Sequence, residues 1–302
     1  MTHADNTLSV VENQGWDQRV VVVRCGTLVD VFIVITERYV VLVDTLHNPT
    51  AAAALLDIAR QYLVHGRTLL VVNTHADWDH AWGNQVFAGP DALHPAPIIA
   101  SRRCAARFHS GDEQPTLTRM QAEQPGRFDG VRLQSPTVLF EERLAIEGGD
   151  LTLELFATPG HTADHIAVYI PEMRTLLAGD AAESPFPLVY SAAELPQLRD
   201  SLLWMQALRP EVALYCHAPV TAGPGVLHAN SVYFDELEQR CQISLARHDG
   251  RLPDESEDVE AFVGFPFSAA LPTDLDLQDQ TDFYHRAHQR ALRAMLEYVA
   301  GC

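Results

Sequence analysis

Basic residues are scarce in this chain: 21 Lys and Arg stand against 40 Asp and Glu, a formal charge of -19. So acidic a chain repels nucleic acid, whose binding needs cations to neutralise phosphates. No nucleic-acid partner is expected. Cysteine is sparse as well. Cys25, Cys104, Cys216, Cys241 and Cys302 are odd in number and no two are close, which leaves no disulfide framework and no CxxC metal site. That usage suits a reducing compartment. No hydrophobic run approaches the length that spans a bilayer, and no basic amphipathic helix is offered to a membrane surface. Met1-Thr2-His3-Ala4-Asp5-Asn6 carries neither a charged n-region nor an apolar h-region. Cytoplasm is the expected location, with no membrane partner. A repeat at a solenoid period and a G-x-S-x-G nucleophile motif are also missing.

What the chain does have is concentrated chemistry. In Asn73-Thr74-His75-Ala76-Asp77-Trp78-Asp79-His80-Ala81-Trp82-Gly83-Asn84, four metal-ligand types fall within six residues: His75, Asp77, Asp79 and His80. The apolar run Thr68–Val72 stops directly before them, as a buried strand ending in a ligand-bearing loop would. Alternate residues of an extended loop point the same way, so His75, Asp77 and Asp79 can converge on one side. His80 then faces elsewhere, as a ligand for a second metal would.

Three more ligand types end other apolar runs. His161 follows Thr158-Pro159-Gly160, Asp180 follows Leu176-Leu177-Ala178-Gly179, and His217 follows Val212–Cys216. Across roughly residues 16 to 222, this ordered set resembles the metallo-β-lactamase superfamily, whose pattern is H-x-H-x-D-H, a P-G-H-T-like turn, a G-D-like strand end and a late His. The resemblance implies an αββα sandwich of class α/β. It also implies a dinuclear metal centre whose bridging hydroxide cleaves an ester, lactone, thioester, phosphoester or amide of a small molecule. Carried onto this chain, one metal takes His75, Asp77 and His161. The other takes Asp79, His80 and His217, and Asp180 bridges both. Asp79 would also orient the nucleophile as the catalytic residue.

One position departs from the pattern. Asp77 stands where most members carry the second His. A hard, anionic oxygen replaces an imidazole there, which moves that site toward iron or manganese. Carboxylates also ligate zinc, so two divalent ions are expected, zinc first, with iron or manganese as alternatives. The flavodiiron branch of the superfamily carries an acidic Glu at this position. A diiron oxidoreductase handling oxygen or nitric oxide is therefore the second reading, although the chain shows no flavodoxin-like domain.

Periodicity gives the organisation. Val20–Val23, Leu28–Ile35 and Tyr39–Val43 read as antiparallel strands, with Asp44-Thr45 closing the third. Asn48-Pro49-Thr50 starts a helix over about 51–64. A short helix near 81–87 and a strand around Ile98–Ala100 follow the motif. Residues 101–135 lack a strand pattern and read as helices or a long loop laid over the site. Strands resume at 137–156, 166–170, 175–179 and 212–216, with a helix at 192–209. The domain is expected to occupy residues 1–222. Residues 223–302 form a helical C-terminal extension packed on it, with helices at Val226–Ala246 and Asp282–Val299 and a solvated linker at Arg251–Asp258.

Among the remaining residues, His165 is expected to support or pack, and His228 to be a lesser candidate facing the pocket. His47, His94, His109, His248, His285 and His288 read as loop or surface residues. Trp78 and Trp82 read as packing beside the ligands. Glu183 is a candidate acceptor near Asp180, and Cys216 a small buried residue outside the site.

Overall fold

The structure is a computed structural model that describes residues 7–272, 275 and 277–301. Two sheets face one another. The first holds seven strands in chain order: β1 (Leu8–Val10), β2 (Val20–Cys25), β3 (Val29–Ile35), β4 (Tyr39–Val43), β5 (Thr68–Val72), β6 (Ile98–Ser101) and β7 (Val138–Phe140). Its pairings are antiparallel from β1 to β4 and parallel from β4 to β7. The second sheet contains β8 (Arg143–Glu147), β9 (Thr152–Ala157), β10 (Ile166–Ile170), β11 (Thr175–Leu177) and β12 (Val212–Leu214), ordered β12-β11-β10-β9-β8. Only β11 and β12 pair in parallel there.

The helices are α1 (Pro49–Arg60), α2 (Trp78–Ala81), α3 (Arg102–Ser110), α4 (Glu113–Glu123), α5 (Leu195–Ala207), α6 (Gly225–Arg247), α7 (Val259–Val263), α8 (Phe267–Ala270) and α9 (Thr281–Ala300). Period-two alternation sorts the second sheet between two cores. Ile166, Val168, Ile170, Leu177 and Leu214 face the first sheet. Ala167, Tyr169, Leu176 and Ala213 face α5, α6 and α9. A strand covered on both faces has no polar side to show, so β10 reads as an unbroken apolar run. With α1 against the first sheet, this is the expected αββα sandwich with helices after it.

Several boundaries moved. The first helix ends at Arg60, not 64, with Asn48 capping its start through Ala51 N. The run 137–156 divides into β7 in the first sheet and β8 and β9 in the second. Residues 101–135 contain α3 and α4. The polar stretch 251–258 is not a free linker: the Arg293 guanidinium on α9 donates to the carbonyls of Asp254, Glu255 and Glu257. Two glycines have structural work. A Cβ on Gly83 would lie 2.0 Å from the Thr45 carbonyl oxygen, and one on Gly160 (φ +134) would lie 2.3 Å from Leu198 Cα. Only glycine lets the two ligand loops pack that closely.

Among the described residues, no helix is long and apolar enough to cross a membrane.

Candidate metal centre

The ligand-type residues emerge at one end of the sandwich. Parallel pairing of Val43 with Val72 brings Asp44 and Asn73 out side by side, and the motif loop follows. All seven residues singled out from the sequence meet there. The Asp180 Oδ2 atom is the centre: it lies 3.7 Å from His75 Nε2, 3.2 Å from His80 Nε2, 3.7 Å from His161 Nε2 and 3.4 Å from His217 Nε2. Asp77 Oδ2 lies 3.6 Å from His75 Nε2 and 3.5 Å from His161 Nε2. On the other side, Asp79 Oδ1 is 3.7 Å from His80 Nε2 and Asp79 Oδ2 is 3.6 Å from His217 Nε2.

These spacings suit an ion at the middle of each group. Ligands about 2.0–2.1 Å from zinc in a tetrahedron stand roughly 3.3 Å apart. The donor atoms are also left over for that purpose. His75 Nε2, His80 Nε2, His161 Nε2 and Asp180 Oδ1 are buried and have no hydrogen-bond partner among the described residues. Buried polar atoms without partners are costly. Four groups among the described residues could hold metal; three are built from these residues, His75, Asp77 and His161; Asp79, His80 and His217; and His75, His80 and Asp180, and the fourth is Asp44, His80 and Cys216 beneath them.

The rings are oriented from behind. Asp44, at the end of β4, accepts from Thr74 N at Oδ1 (2.7 Å) and from the Thr74 hydroxyl at Oδ2 (2.7 Å). Its Oδ2 also lies 2.8 Å from His80 Nδ1, while Thr74 Oγ1 lies 2.9 Å from His75 Nδ1. With the Thr74 hydrogen given to Asp44, both rings carry their hydrogen on Nδ1 and turn a lone pair at Nε2 inward. Asp44 sits at φ +72, a left-handed conformation that Asp tolerates better than most residues. The sequence shows Asp44 only as the end of a strand. The available signal was an acidic residue closing an apolar strand at the end where the ligand loop emerges.

The field is strongly negative without a cation. Burial lowers His161 and His217, but Asp77, Asp180 and their neighbours outweigh it and raise them to about 9 and about 10. Burial works against His80 too, and Asp180, Asp79 and Asp44 hold it well above its usual value. Burial would raise Asp77, but His75, His161 and Arg107 hold it well below the usual carboxylate range. So charged a cluster favours positive charge.

Other residues fall out differently from expectation. His47 lies on the loop between β4 and α1, as expected, but is buried there, and His288 is buried on α9 rather than on a loop or the surface. His47 packs edge-on to Trp78 and Phe128, and His288 Nδ1 lies 2.9 Å from the Tyr233 hydroxyl. Apolar neighbours supply that burial, which a polar local sequence does not announce. His228 is exposed on α6 and is absent from the cavity lining. His165 is a support: its Nε2 accepts from Asp180 N at 3.0 Å, and its Nδ1 lies 2.8 Å from the Thr158 hydroxyl. Trp82 is wholly buried with Leu117 and Phe128, as packing. Burial pushes the Cys216 thiol up, so it stays protonated beside His80 and Asp44. Arg107 on α3 escaped the sequence reading entirely. Its guanidinium reaches Asp77 Oδ1 at 2.7 Å.

A cavity of about 420 Å³ opens over the cluster. Asp77, Asp79, His161, Asp180 and His217 form its base, and Trp78, Leu188, Tyr190, Phe283 and Tyr284 line its walls. Arg127 also lines it, stacked 5.3 Å from the Trp78 ring and 5.2 Å from Phe128. Glu183 is buried in the same wall. Burial pushes its carboxyl up to about 7, and it accepts from Leu188 N and the Tyr284 hydroxyl. The start of α9 thus reaches the site, while Leu292, Met295 and Leu296 pack into the core.

The family model described as the metallo-beta-lactamase superfamily matches residues 26–217. The chain belongs to that superfamily, and its fold and site define it as a metallo-hydrolase. A hydroxyacylglutathione hydrolase of Synechococcus sp. is 27% identical over 272 residues, covering 86% of this chain and 84% of that protein. A hydroxyacylglutathione hydrolase of Erythrobacter litoralis is 35% identical over 186 residues, covering 59% of this chain and 62% of that protein. The chain thus spans only about three fifths of the second relative's length. Among solved structures, a beta-lactamase domain protein from Burkholderia ambifaria superposes with a TM-score of 0.68 at 15% identity, covering 100% of this chain and 90% of that one. At that identity the likeness concerns the fold. The oxidoreductase reading finds no support among these relatives.

Proposed function

We propose that this protein is a two-metal thioester hydrolase whose substrate is a small acyl thioester of glutathione or a similar acidic thiol. The observation that carries the reading is Asp180 Oδ2 set 3.2 to 3.7 Å from four inward-facing imidazole nitrogens at the base of a cavity. The names of the relatives, hydroxyacylglutathione hydrolases, support a thioester as the bond cleaved.

In this reading His75, Asp77 and His161 would hold one ion, Asp79, His80 and His217 would hold the other, and Asp180 would serve both. Zinc is the first choice, because carboxylate and imidazole together suit it; iron or manganese would also accept the oxygen donors. When bound, such a pair supplies hydroxide near neutral pH and stabilises the oxyanion that forms on a carbonyl. The chain does the rest. Asp79, with one oxygen toward His80 and the other toward His217, orients the attacking water. Trp78, Tyr190 and Phe283 exclude bulk water from the acyl carbon. Arg127, stacked on two aromatic faces and bonded to Gln124, adds positive charge to the cavity wall. Glu183, buried in the cavity wall, accepts from Leu188 N and the Tyr284 hydroxyl and so fixes the wall beside the substrate. The start of α9 would belong to the same working unit, because Phe283 and Tyr284 line the cavity.

The test is a substrate panel with zinc-loaded protein: a hydroxyacylglutathione, a simple oxoester, a lactone and a phosphodiester. The reading expects the glutathione thioester to give a kcat/KM at least tenfold above the others. Preference for the lactone or phosphodiester would overturn it.

A further inference from the structure

We propose that Arg107 is a positioning residue that makes Asp77 a one-oxygen ligand and lets a carboxylate occupy a place most of the superfamily fills with imidazole. The inference rests on Asp77 being a metal ligand, as in the proposed function. Asp77 has two oxygens in different surroundings. Oδ2 faces His75 Nε2 at 3.6 Å and His161 Nε2 at 3.5 Å. Oδ1 faces away from them onto Arg107 Nη2 at 2.7 Å.

An imidazole offers one nitrogen to a metal and no net charge. A free carboxylate offers two oxygens and one negative charge. The pairing with Arg107 reduces both differences: it occupies one oxygen and offsets part of the charge, which it shares with Glu113 and Asp164. Asp77 then presents a single oxygen of reduced charge, closer to an imidazole than a free carboxylate is. That likeness explains how the remaining six ligand types keep the superfamily pattern around a changed seventh.

Arg107 is itself anchored. Its Nη1 donates to Asp164 Oδ1 at 3.0 Å, and its Nε and Nη2 reach Glu113 Oε1 at 3.0 and 2.6 Å. Asp164 in turn accepts from Ala76 N at Oδ2 (2.8 Å), so one guanidinium ties α3 and α4 to both ligand loops. Serving three carboxylates in fixed directions is work for a planar fork and not for an ammonium.

The anchoring also raises the rival explanation, a staple that holds the fold and acts on Asp77 only incidentally. A double-mutant cycle separates the two. Zinc affinities of the metal-stripped protein are measured by competition with a chromophoric chelator, for wild type, Arg107→Gln, Asp77→His and the double variant. The proposal expects Arg107→Gln to weaken one of the two ions by about 10- to 100-fold when position 77 is Asp. When position 77 is His, it expects a change below about threefold. Equal losses in both backgrounds would make Arg107 a staple and overturn the proposal, as would no loss in either. Arg107→Lys is carried through the same cycle. It keeps a charge for Glu113 and Asp164, so a poorly folding glutamine variant leaves the cycle readable. Asp77→Ala separates the two levels of inference. If it leaves both affinities intact, Asp77 is no ligand and the metal assignment fails with the proposal.

Discussion

Beneath the histidines, Asp44 at the end of β4 gathers hydrogen from Thr74 and lies 2.8 Å from His80 Nδ1. Beside them, Arg107 in α3 holds the outer oxygen of Asp77 at 2.7 Å. The floor is an anion supporting imidazoles; the wall is a cation supporting a carboxylate. The floor belongs to the parallel strands that build the sheet, so every ligand loop leaving that edge can use it. The wall belongs to helices inserted between β6 and β7, and it reaches a single ligand. Support built into the sheet serves both sides of the site, whereas support from an insertion can adjust one side.

The largest effect is expected at the floor. Asp44→Asn keeps the side-chain shape and tolerates the left-handed backbone, yet removes the charge that orients His80 directly and His75 through Thr74. Both ions should bind about 100-fold more weakly, read by chelator competition. If only one ion weakens, the floor is as local as the wall and the comparison fails.

A second effect is sited where floor and wall meet. His47 is buried against Trp78 and Phe128, and burial, aided by Arg127, pushes it down to about 3. Below about pH 6.5 the unfolded chain takes up a proton that folded His47 refuses. Stability therefore falls as the pH drops, by about 1.4 kcal/mol per unit, until the folded value is reached. His47→Leu removes this dependence. Urea unfolding of the two proteins side by side should show a stability difference that shifts by about 2 kcal/mol in favour of the variant from pH 7 to pH 5. A constant difference would mean that His47 accepts a proton in the folded state.

The smallest effect sharpens the floor itself. Thr74→Val is nearly isosteric and breaks only the link from Asp44 to His75. Two hydrogen bonds of the hydroxyl are lost; at about 0.5 kcal/mol net each, that corresponds to roughly a fivefold loss of affinity, confined to one ion. A loss as large as that of Asp44→Asn would mean that Asp44 acts on both rings through Thr74.

Legibility in the sequence follows the same division. The seven ligand types announce themselves because they stand just beyond the ends of four apolar runs, and chain position at a strand end is a local property. The sheets are legible because β-branched runs such as Val20–Val23 and Tyr39–Val43 carry a period of two or an unbroken apolar signal. Asp44 was half visible: its place at a strand end could be read, but its use depends on β4 pairing with β5. Arg107 was invisible. It sits on a helix whose polar sequence signals only exposure, and all three of its carboxylate partners belong to other elements. The burial of His47 is likewise a product of Phe128, eighty-one positions away. Ligands are written locally; the groups that tune them come from long-range packing.

The central claim, a centre for two ions with Asp180 between them, is tested most directly by the metal-to-protein ratio. Wild type and Asp180→Ala would be reconstituted with excess zinc, dialysed and measured by elemental mass spectrometry. The account predicts about two zinc ions per wild-type chain and at least one fewer in the variant. A wild-type chain that retains no zinc, and none of iron or manganese when these are offered instead, would contradict it. So would a variant that keeps two.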